Sequence, residues 1–558
     1  MSDENKQDNQ QDAQKDNQKD AHKIGQKEAK EKAREQKAAL AASIAKDKEK
    51  EQKAKLSETL SKKEEKLATP EPPKPRKKGF KAEFRRRLKA VKTTRWIRFT
   101  IVSILFFLLV IWIANPWLAL VWFLLFDIYI TEFIPWSWWK GTKGWTRTVL
   151  SWIDAILYAL ILVYVIFAFI GQNYKIPSSS LEKSLLVGDF LWVNKTTYGP
   201  RVPQTPLHFP LAQHTMPLFG GKSYIESPQL SYHRLPGLRE VERGDIVVFN
   251  FPEGDTVLSK MPDVDYYMIA HTLRERGVDN PLEYIEYNKS QFGDIIVRPV
   301  DRRENYVKRV IGLPGDRLQI VDDTVHINGE PIAFADNVQF NYIIPVSRAI
   351  SDDKWLELGV RREDHGVAPI QGYEMGGQKY YTVPLTSEMK AIVEKWPELA
   401  GPLKKENVAG YYEIGNVWPL GNEWNWTRSN TDEFWIPKRG KTLLLTLNNL
   451  PLYRRAIETY EGNKVEVKDG RIFINGEENP YYTFKMDYYW MMGDNRDRSL
   501  DSRYFGFVPE DHIVGTPERI LFSIDEERPL FDSGKIRWNR IFSNPNPDKA
   551  KAQEKNWK

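Results

Sequence analysis

Hydrophobic and polar positions are distributed unevenly along the chain, and its first region is almost entirely polar. Residues 1 to about 68 are rich in Lys, Glu, Gln, Ala and Asp, and they include no aromatic residue. Such a stretch buries too little apolar surface to offset the entropy cost of ordering it. The pattern predicts a charged cytosolic tail over residues 1–76, disordered or loosely helical, which ends in a Pro-rich linker.

Two apolar blocks follow this tail, and their lengths are typical of membrane helices. A basic juxtamembrane segment, residues 77–98, leads into an apolar block over residues 99–135, and a second block covers residues 149–170. A helix needs about 20 apolar residues to span a bilayer. The first block is too long for one span, whereas the second has the length of a single span.

The first apolar block contains its own boundary at Asn115-Pro116. Proline ends or kinks a helix because it lacks a backbone N–H. The sequence therefore predicts transmembrane segments over about 99–115, 117–135 and 149–170. A buried helical hairpin followed by one span is the alternative.

Basic residues on either side of the first block predict the orientation in the membrane. They lie in the segment 77–98 and in the short loop that contains Lys140, Lys143 and Arg147. Because Lys and Arg accumulate on the cytoplasmic side, both arrangements place everything after Gly171 outside. The predicted location is the inner membrane, with several passes and the large domain on the periplasmic side.

The remaining chain has β signals, namely short apolar runs bounded by Gly, Pro, Asn and Asp. Asn328-Gly329 and Asn475-Gly476 each follow such a run, and Asn-Gly pairs favour type I′ hairpin turns. The two contexts look alike, which fits either a local repeat or two unrelated hairpins.

The expected fold is a set of N-terminal transmembrane α-helices plus a mainly antiparallel β domain with an inserted α+β subdomain. The β domain would consist of two parts, and the expected boundaries are 172–334 for its first part, 335–464 for the inserted subdomain, 465–545 for its second part and 546–558 for a C-terminal tail.

Composition excludes several classes of function. The net charge of +6 is small for 558 residues and argues against a dedicated nucleic-acid binder. The absence of cysteine rules out disulfides, a Cys nucleophile and Cys-based zinc sites. The histidines are scattered, and neither a Gly-x-Ser-x-Gly nor a His-Glu-x-x-His motif is present.

Four sequence blocks after the apolar segments carry the candidate chemistry. They are Ile176–Asp189, Arg243–Phe249, Tyr306–Asp316 and Met492–Gly506, which include the strings Lys-Arg-Val-Ile-Gly-Leu-Pro-Gly-Asp and Gly-Asp-Asn-Arg-Asp-Arg-Ser-Leu-Asp-Ser-Arg. Taken alone, the first block also fits a polar linker. In this order after membrane segments, the blocks resemble the type I signal peptidases, a family of serine–lysine proteases, and most closely its branch with long inserts.

The resemblance implies a role for each matching residue. Ser180 corresponds to the nucleophile, Lys308 to the general base, Ser178 to an oxyanion donor and Ser499 to the serine that orients the lysine. Supporting positions are Gly493, Asp494, Asn495, Asp501 and Arg503. Leu181 and Ile176 are candidates for the substrate pocket.

Elementary chemistry constrains this assignment. A lysine acts as a base near neutral pH only when its pKa lies far below about 10.4, which burial among apolar groups achieves. In an alternating strand Lys308 shares a face with Tyr306 and Val310, whereas Arg309 points the other way. A solvated strand lysine remains the alternative when Lys308 is considered without its motif.

Two positions depart from the family pattern. Ser179 stands where the family has glycine, so the backbone would be strained if this position required a positive φ. Leu181 replaces methionine, which conserves volume and apolar character. Because three serines are adjacent, Ser179 is retained as the alternative nucleophile.

The predicted function is a membrane-bound serine endopeptidase that removes signal peptides from exported preproteins through an acyl-enzyme, without a metal or cofactor. The implied partners are preprotein signal peptides and the lipid bilayer, with the secretion translocon as a further candidate and no nucleic acid. The alternative is a catalytically inactive membrane-anchored binding or scaffold protein. The apolar segments argue against the self-cleaving repressors, which are soluble.

Overall fold

The computed structural model describes residues 80–113, 116–136, 138–217, 220–262, 264–333, 335–361, 370–406, 416–421 and 424–546, with single positions between 50 and 59. The predicted tails, 1–76 and 546–558, lie outside the described residues except for those positions and Asn546.

The helices, in chain order, are α1 (Phe80–Ala90), α2 (Thr93–Ile113), α3 (Trp122–Phe126), α4 (Gly144–Phe169), α5 (Tyr266–Glu275), α6 (Pro281–Tyr287), α7 (Lys289–Phe292), α8 (Asp352–Glu357), α9 (Ser387–Val393), α10 (Leu450–Arg455) and α11 (Ser502–Phe505).

The strands are β1 (Gly171–Lys175), β2 (Asp189–Asn194), β3 (Ile246–Asn250), β4 (Thr256–Leu258), β5 (Ile295–Val297), β6 (Asn305–Gly312), β7 (Arg317–Val321), β8 (Thr324–Ile327), β9 (Glu330–Pro331), β10 (Gln339–Val346), β11 (Gln371–Met375), β12 (Gln378–Thr386), β13 (Lys404–Lys405), β14 (Phe434–Trp435), β15 (Thr442–Leu444), β16 (Val465–Lys468), β17 (Arg471–Ile474), β18 (Glu477–Glu478), β19 (Tyr481–Thr483), β20 (Tyr488–Met492), β21 (Val508–Pro509) and β22 (Ile513–Ser523).

Two helices, α2 and α4, are long and apolar enough to cross a membrane among the residues that the structure describes. The predicted transmembrane segment over 117–135 contains a shorter apolar helical stretch, Ala119–Thr131, in which helix types alternate. A 3₁₀ segment, Pro116–Val121, precedes α3, and a π segment, Asp127–Thr131, follows it.

The buried Asp127 explains why this middle segment ends early. Its carboxylate accepts hydrogen bonds from the Thr131 hydroxyl at 2.5 Å and from the backbone N–H groups of Phe133 and Ile134 at 2.7 and 3.0 Å. Glu132 adopts a left-handed conformation with φ of 47°. These contacts satisfy the N–H groups that follow the helix, and the left-handed Glu132 turns the chain, so the helix does not continue to Pro135.

The central sheet of the β domain has seven antiparallel strands in the order β1-β2-β22-β3-β6-β20-β21. In this sheet Lys308 of β6 pairs with Val247 of β3, and Val310 pairs with Met491 of β20. A buried cluster that includes Ile176, Leu181, Leu185, Val248 and Val514 packs against one part of the sheet. The antiparallel β character predicted from the sequence is confirmed.

The two Asn-Gly hairpins adopt the turn geometry that the sequence predicts. Asn328 and Gly329 have φ values of 54° and 87°, and Asn475 and Gly476 have φ values of 53° and 89°. Each asparagine side chain also accepts a hydrogen bond from a backbone N–H eleven residues earlier, at 2.9 Å in both cases. The two hairpins therefore share one local geometry.

The region between the two predicted parts of the β domain has two kinds of packing. Strands β10–β13 form a separate sheet with α8 and α9 over a buried core around Trp355. Buried apolar residues within 417–421 and 424–457 instead pack into the large aromatic core that also contains Leu318 and Trp490.

Candidate active site

The segment that carries the three serines is a tight turn anchored by apolar side chains. A 3₁₀ turn over Ser179–Leu181 follows β1, and its residues are buried. Ile176 and Leu181, which are 3% and 1% exposed, belong to the buried cluster beside the sheet. Their burial means that most of their surface contributes to packing.

Ser180 and Lys308 meet although 128 positions separate them in the sequence. Lys308 Nζ lies 2.7 Å from Ser180 Oγ, and both side chains are buried. Lys308 Nζ also lies 5.5 Å from the ring centre of Tyr306, on the face predicted by strand alternation. The hydroxyl and amine are therefore close enough to exchange a proton.

Burial changes the acidity of this lysine. Loss of solvation lowers the pKa of Lys308 from 10.5 to about 8. The charge of Asp501 acts in the opposite direction and raises this pKa, whereas that of Arg503 lowers it. A substantial fraction of the amine is therefore neutral slightly above neutral pH.

The other two serines occupy distinct positions. Ser178 is extended, with φ of −121° and ψ of 159°, and its Oγ lies 3.5 Å from Ser180 Oγ. Ser179 belongs to the 3₁₀ turn, and its φ is not in the left-handed region. In this segment Lys183 has the left-handed conformation, with φ of 73°. Serine at position 179 is thus accommodated without the strain considered from the sequence.

Asn495 joins the serine turn to the segment after β20. Its backbone N–H donates to the Ser180 carbonyl at 3.1 Å, and its Nδ2 donates to the Ser179 carbonyl at 3.3 Å. The neighbouring Asp494 binds Arg309 through two hydrogen bonds of 2.8 and 2.7 Å. Arg309 is thereby held on the side of β6 away from Lys308, as the alternation predicts.

Gly493 is required by the close approach of the chain around it. A Cβ atom at this position would lie 2.2 Å from Ser499 Oγ and 2.6 Å from the Ser180 carbonyl oxygen. Any larger residue would push these two groups apart.

Asp501 and Arg503 form a fully buried ion pair beside the dyad. Two hydrogen bonds of 2.8 Å join the guanidinium to the carboxylate, which also accepts the Gly493 N–H at 3.0 Å. Burial acts to raise the pKa of Asp501, but the charge and hydrogen bonds of Arg503 hold this pKa below its ordinary value. The pair holds the Gly493 turn in place, and it puts one negative and one positive charge near Lys308.

Ser499 is buried against Gly493, but its contact with Lys308 differs from the family expectation. Among the described residues, no hydrogen bond joins Ser499 Oγ to Lys308. The hydroxyl is close enough to Asp501 to contribute to the lowered pKa of that carboxylate. The structure therefore places Ser499 beside the ion pair.

The site is also held by residues that the sequence motifs did not single out. Ser184 Oγ donates to Asp494 at 2.5 Å, and the backbone N–H of Gln339 donates to the Asp494 carbonyl at 2.9 Å. The Asn341 N–H donates to Asp497 at 2.6 Å. Two of these contacts use backbone atoms, which leave no signal in residue type.

No cluster of three or more His, Cys, Asp or Glu side chains suited to a metal occurs in the part of the chain that the structure describes. His512, which lies close to Asp511 and Arg303, belongs to a buried polar network outside the dyad.

Comparisons with known proteins point to one family. The family model described as "Signal peptidase, peptidase S26" matches residues 149–343 and 479–522. Signal peptidase I of Buchnera aphidicola subsp. Acyrthosiphon pisum is 25% identical over 381 residues, which cover 68% of this chain and 77% of the relative.

Two other relatives show similar coverage. Signal peptidase I of Rickettsia typhi is 25% identical over 71% of this chain and 94% of its own length. Signal peptidase I of Helicobacter pylori strain 26695 is 21% identical over 70% of this chain and 90% of its own length.

These matches and the antiparallel β fold define a hydrolase of the serine endopeptidase class. Over these matched lengths the chain is similar to the type I signal peptidases. This family acts on the signal peptides of preproteins and is associated with membranes.

Proposed function

We propose that the chain removes signal peptides from exported preproteins at the membrane, with Ser180 as nucleophile and Lys308 as general base. The proposal rests above all on the 2.7 Å separation of Lys308 Nζ and Ser180 Oγ in a buried site. Serine is a weak nucleophile until a neighbouring base takes its proton. Lys308 supplies that base because its lowered pKa leaves an accessible neutral amine.

In the acylation step, neutral Lys308 takes the hydroxyl proton while Ser180 Oγ attacks the scissile carbonyl. The backbone N–H of Ser180 and the hydroxyl of Ser178 stabilise the oxyanion that develops. The protonated lysine then gives its proton to the amine of the departing mature protein, and the signal peptide remains as an ester on Ser180. Lys308 subsequently activates a water molecule that hydrolyses this ester.

The remaining motif residues position the dyad in this proposal. Asn495 fixes the carbonyls of the serine turn, and Gly493 lets this segment approach Ser180 closely. The Asp501–Arg503 pair anchors the Gly493 turn. Ser499 acts through this pair and does not bind the lysine directly.

The substrate would bind as an extended strand along β1. In the part of the chain that the structure describes, β1 pairs with β2 alone, so its second edge is open to a peptide backbone. Edge-strand pairing gives affinity through backbone bonds, and side-chain pockets supply specificity. Ile176 and Leu181 are almost fully buried, so in this proposal they support the groove for small substrate residues from beneath.

We further propose that α4 spans the membrane and that the β domain lies outside. Basic residues before α2 and in the loop before α4 place both of these segments on the cytoplasmic side. The chain between them then crosses twice or returns from within the bilayer. Ser180 follows the end of α4 by eleven positions, which keeps the dyad near the lipid surface.

Residues 335–464 are proposed to be an insertion in the β domain. The family model leaves residues 344–478 unmatched between its two segments. Strands β10–β13 with their own core represent the most independent part of this insertion.

A cleavage assay in lipid tests the proposal against an inactive scaffold protein. Full-length protein should cleave a preprotein after a small-x-small sequence, and Ser180→Ala and Lys308→Ala should each abolish cleavage. Ser290→Ala and Lys289→Ala, which alter exposed residues, serve as matched controls. Near-normal turnover by Lys308→Ala would refute the dyad, and an inactive wild type would favour the scaffold.

A further inference from the structure

Lys183 has a strained backbone conformation in the nucleophile turn, three residues after Ser180. Its φ of 73° lies in the left-handed region, which is unfavourable for a residue that carries a Cβ atom. Residues persist in such conformations where the surrounding structure holds them, and they cluster at functional sites. The contacts that hold Lys183 therefore also constrain the turn that carries Ser180.

The side chain of Lys183 reaches from the nucleophile turn to a second packing unit. Its Nζ donates to the carbonyl of Gly359, which lies two residues after the end of α8. This helix packs with β10 and β12 around the buried Trp355. We call the unit formed by β10–β13, α8 and α9 the small sheet. Lys183 thus ties the nucleophile turn to the small sheet.

Gly359 allows the close approach of this ammonium group. Its φ of 88° is in the left-handed region, and a Cβ atom at this position would lie only 2.9 Å from Lys183 Nζ. Gly376 and Gly377 of the small sheet also have left-handed φ values, but a Cβ atom at either would meet nothing within 4 Å. Crowding by Lys183 therefore distinguishes Gly359 from these two glycines.

The small sheet also contacts the segment that follows β20. The backbone N–H of Gln339, at the start of β10, donates to the Asp494 carbonyl at 2.9 Å, and the N–H of Asn341 donates to the Asp497 side chain at 2.6 Å. Asn495, which lies between these two acceptors, binds the nucleophile turn. The small sheet therefore holds the nucleophile both directly, through the turn itself, and indirectly, through the segment behind it.

The contact between the small sheet and the nucleophile turn is tight and polar. The cavity that remains between them has a volume of about 20 Å³, and its lining includes Lys183, Gly359 and Gln339. An ion pair at 2.9 Å joins Arg361, close to Gly359 in the chain, to Glu527 after β22. Polar interfaces of this kind between packing units permit relative motion. A shift of the small sheet would therefore reach the nucleophile turn through Lys183.

We propose that Lys183 is a positioning residue, through which the small sheet holds Ser180 within reach of Lys308. The Gly359 carbonyl fixes its ammonium group, and this contact favours the conformation in which Ser180 Oγ lies 2.7 Å from Lys308 Nζ. Without the contact the strained turn relaxes, and a smaller fraction of the protein has the hydroxyl next to the amine. This inference rests on the proposed function and adds to it a role for the small sheet.

Cleavage kinetics of the full-length protein in lipid test this role. Lys183→Met removes the hydrogen bond but keeps an apolar stem, and kcat should fall about tenfold with KM nearly unchanged, as expected for one hydrogen bond from a charged group. Lys183→Arg keeps a charged donor and should recover most of the wild-type kcat. Lys395→Met alters an exposed lysine beside α9 and should match wild type. A Lys183→Met protein with the wild-type kcat, or one changed only in KM, would overturn the role.

A double-mutant cycle tests whether Lys183 acts through Gly359. Gly359→Ala should lower kcat by a similar factor, because the added Cβ atom displaces the ammonium group. Gly377→Ala imposes comparable backbone strain in the small sheet without touching Lys183, and it should leave kcat unchanged. The Lys183→Met/Gly359→Ala protein should be no slower than either single variant, because both changes remove one interaction. Effects that multiply in the double variant would show that the two residues act independently, contrary to the proposal.

Amide hydrogen exchange separates this inference from the proposed function, because it does not depend on cleavage. Residues 178–185 should exchange faster in Lys183→Met than in wild type, while β6, which carries Lys308, should be unchanged. Equal exchange of the turn in the two proteins would overturn this inference alone, even where the wild type cleaves preprotein. A wild type that cleaves no preprotein would refute the proposed function, and faster exchange of the turn would then still show that Lys183 holds it.

Discussion

Asn495 is hydrogen-bonded to the backbone carbonyl of Ser180, because its own N–H donates to that oxygen at 3.1 Å. Its side chain donates to the neighbouring Ser179 carbonyl at 3.3 Å. The nucleophile turn is thus joined to the segment that follows β20. In the proposed mechanism Asn495 therefore acts as a positioning residue.

Replacing Asn495 by Ala should therefore lower kcat and leave KM nearly unchanged. The backbone bond to Ser180 remains, and only one neutral hydrogen bond, worth about 1 kcal/mol, is removed. We expect kcat to fall by about three- to tenfold. Asn288→Ala, on an exposed helix end, is the control, and a change confined to KM would contradict the positioning role.

The three adjacent serines should separate clearly in activity. Ser178→Ala removes the proposed side-chain donor to the oxyanion, and loss of one such donor costs about 10² to 10³ in rate. Ser179→Ala should remain close to wild type because its carbonyl, which binds Asn495, is unchanged. Single-turnover cleavage rates measure both effects. An inactive Ser179→Ala protein together with an active Ser180→Ala protein would show that Ser179, not Ser180, is the nucleophile.

The charge pair beside the dyad should set the pH dependence of cleavage. The rate should rise as Lys308 loses its proton, with a midpoint near its pKa of about 8. Arg503 lowers this pKa and Asp501 raises it, so Arg503→Met should move the midpoint of kcat/KM to higher pH. Arg503→Lys keeps the charge and should stay near the wild-type midpoint.

A compensating double variant distinguishes this electrostatic effect from misfolding. Arg503→Met alone leaves the buried Asp501 carboxylate without its partner, which costs about 3 to 5 kcal/mol of stability. Adding Asp501→Asn removes the uncompensated charge and should bring the midpoint back toward that of wild type. A midpoint that does not respond to either variant would show that the pair does not act on Lys308.

Much of the site could be predicted from the sequence because its residues lie in strings of distinctive type and order. The side of β6 on which Lys308 lies followed from the two-residue period of a strand, and the structure places Arg309 on the opposite side with Asp494. The Asn-Gly turns were predictable because few residues adopt positive φ, and all four of these residues do so.

Other features depend on tertiary contacts that residue type does not encode. Gln339 reaches Asp494 through a backbone N–H from more than 150 residues away, and no motif marks such a bond. Apolar content alone does not show that the segment 117–135 turns near its end, where the Asp127 carboxylate accepts from the N–H groups of Phe133 and Ile134. Its crossing of the membrane stays a prediction. Ser499 was expected at the lysine, but the local path of the chain places it against Gly493.

Burial of Lys308 should lower the free energy of unfolding relative to a protein with an uncharged side chain at this position. Lys308 has a pKa of about 8 in the folded chain against 10.5 in the unfolded chain, so the unfolded state binds more protons between these pH values. Stability therefore rises with pH over this window, and below pH 8 the full cost is present. A shift of about 2.5 units corresponds to roughly 3 kcal/mol.

Lys308→Met should consequently abolish cleavage and raise stability at pH 7. Loss of the 2.7 Å hydrogen bond to Ser180 offsets about 1 kcal/mol of the gain, which leaves a net increase of about 2 kcal/mol. Thermal unfolding in detergent measures this difference, which should shrink as the pH approaches 10.5. The control Lys289→Met alters an exposed lysine and should change little. A Lys308→Met protein less stable than wild type at pH 7 would mean that the fold does not penalise the charged amine and that its pKa is not lowered, and the basis for its role as a base would be lost.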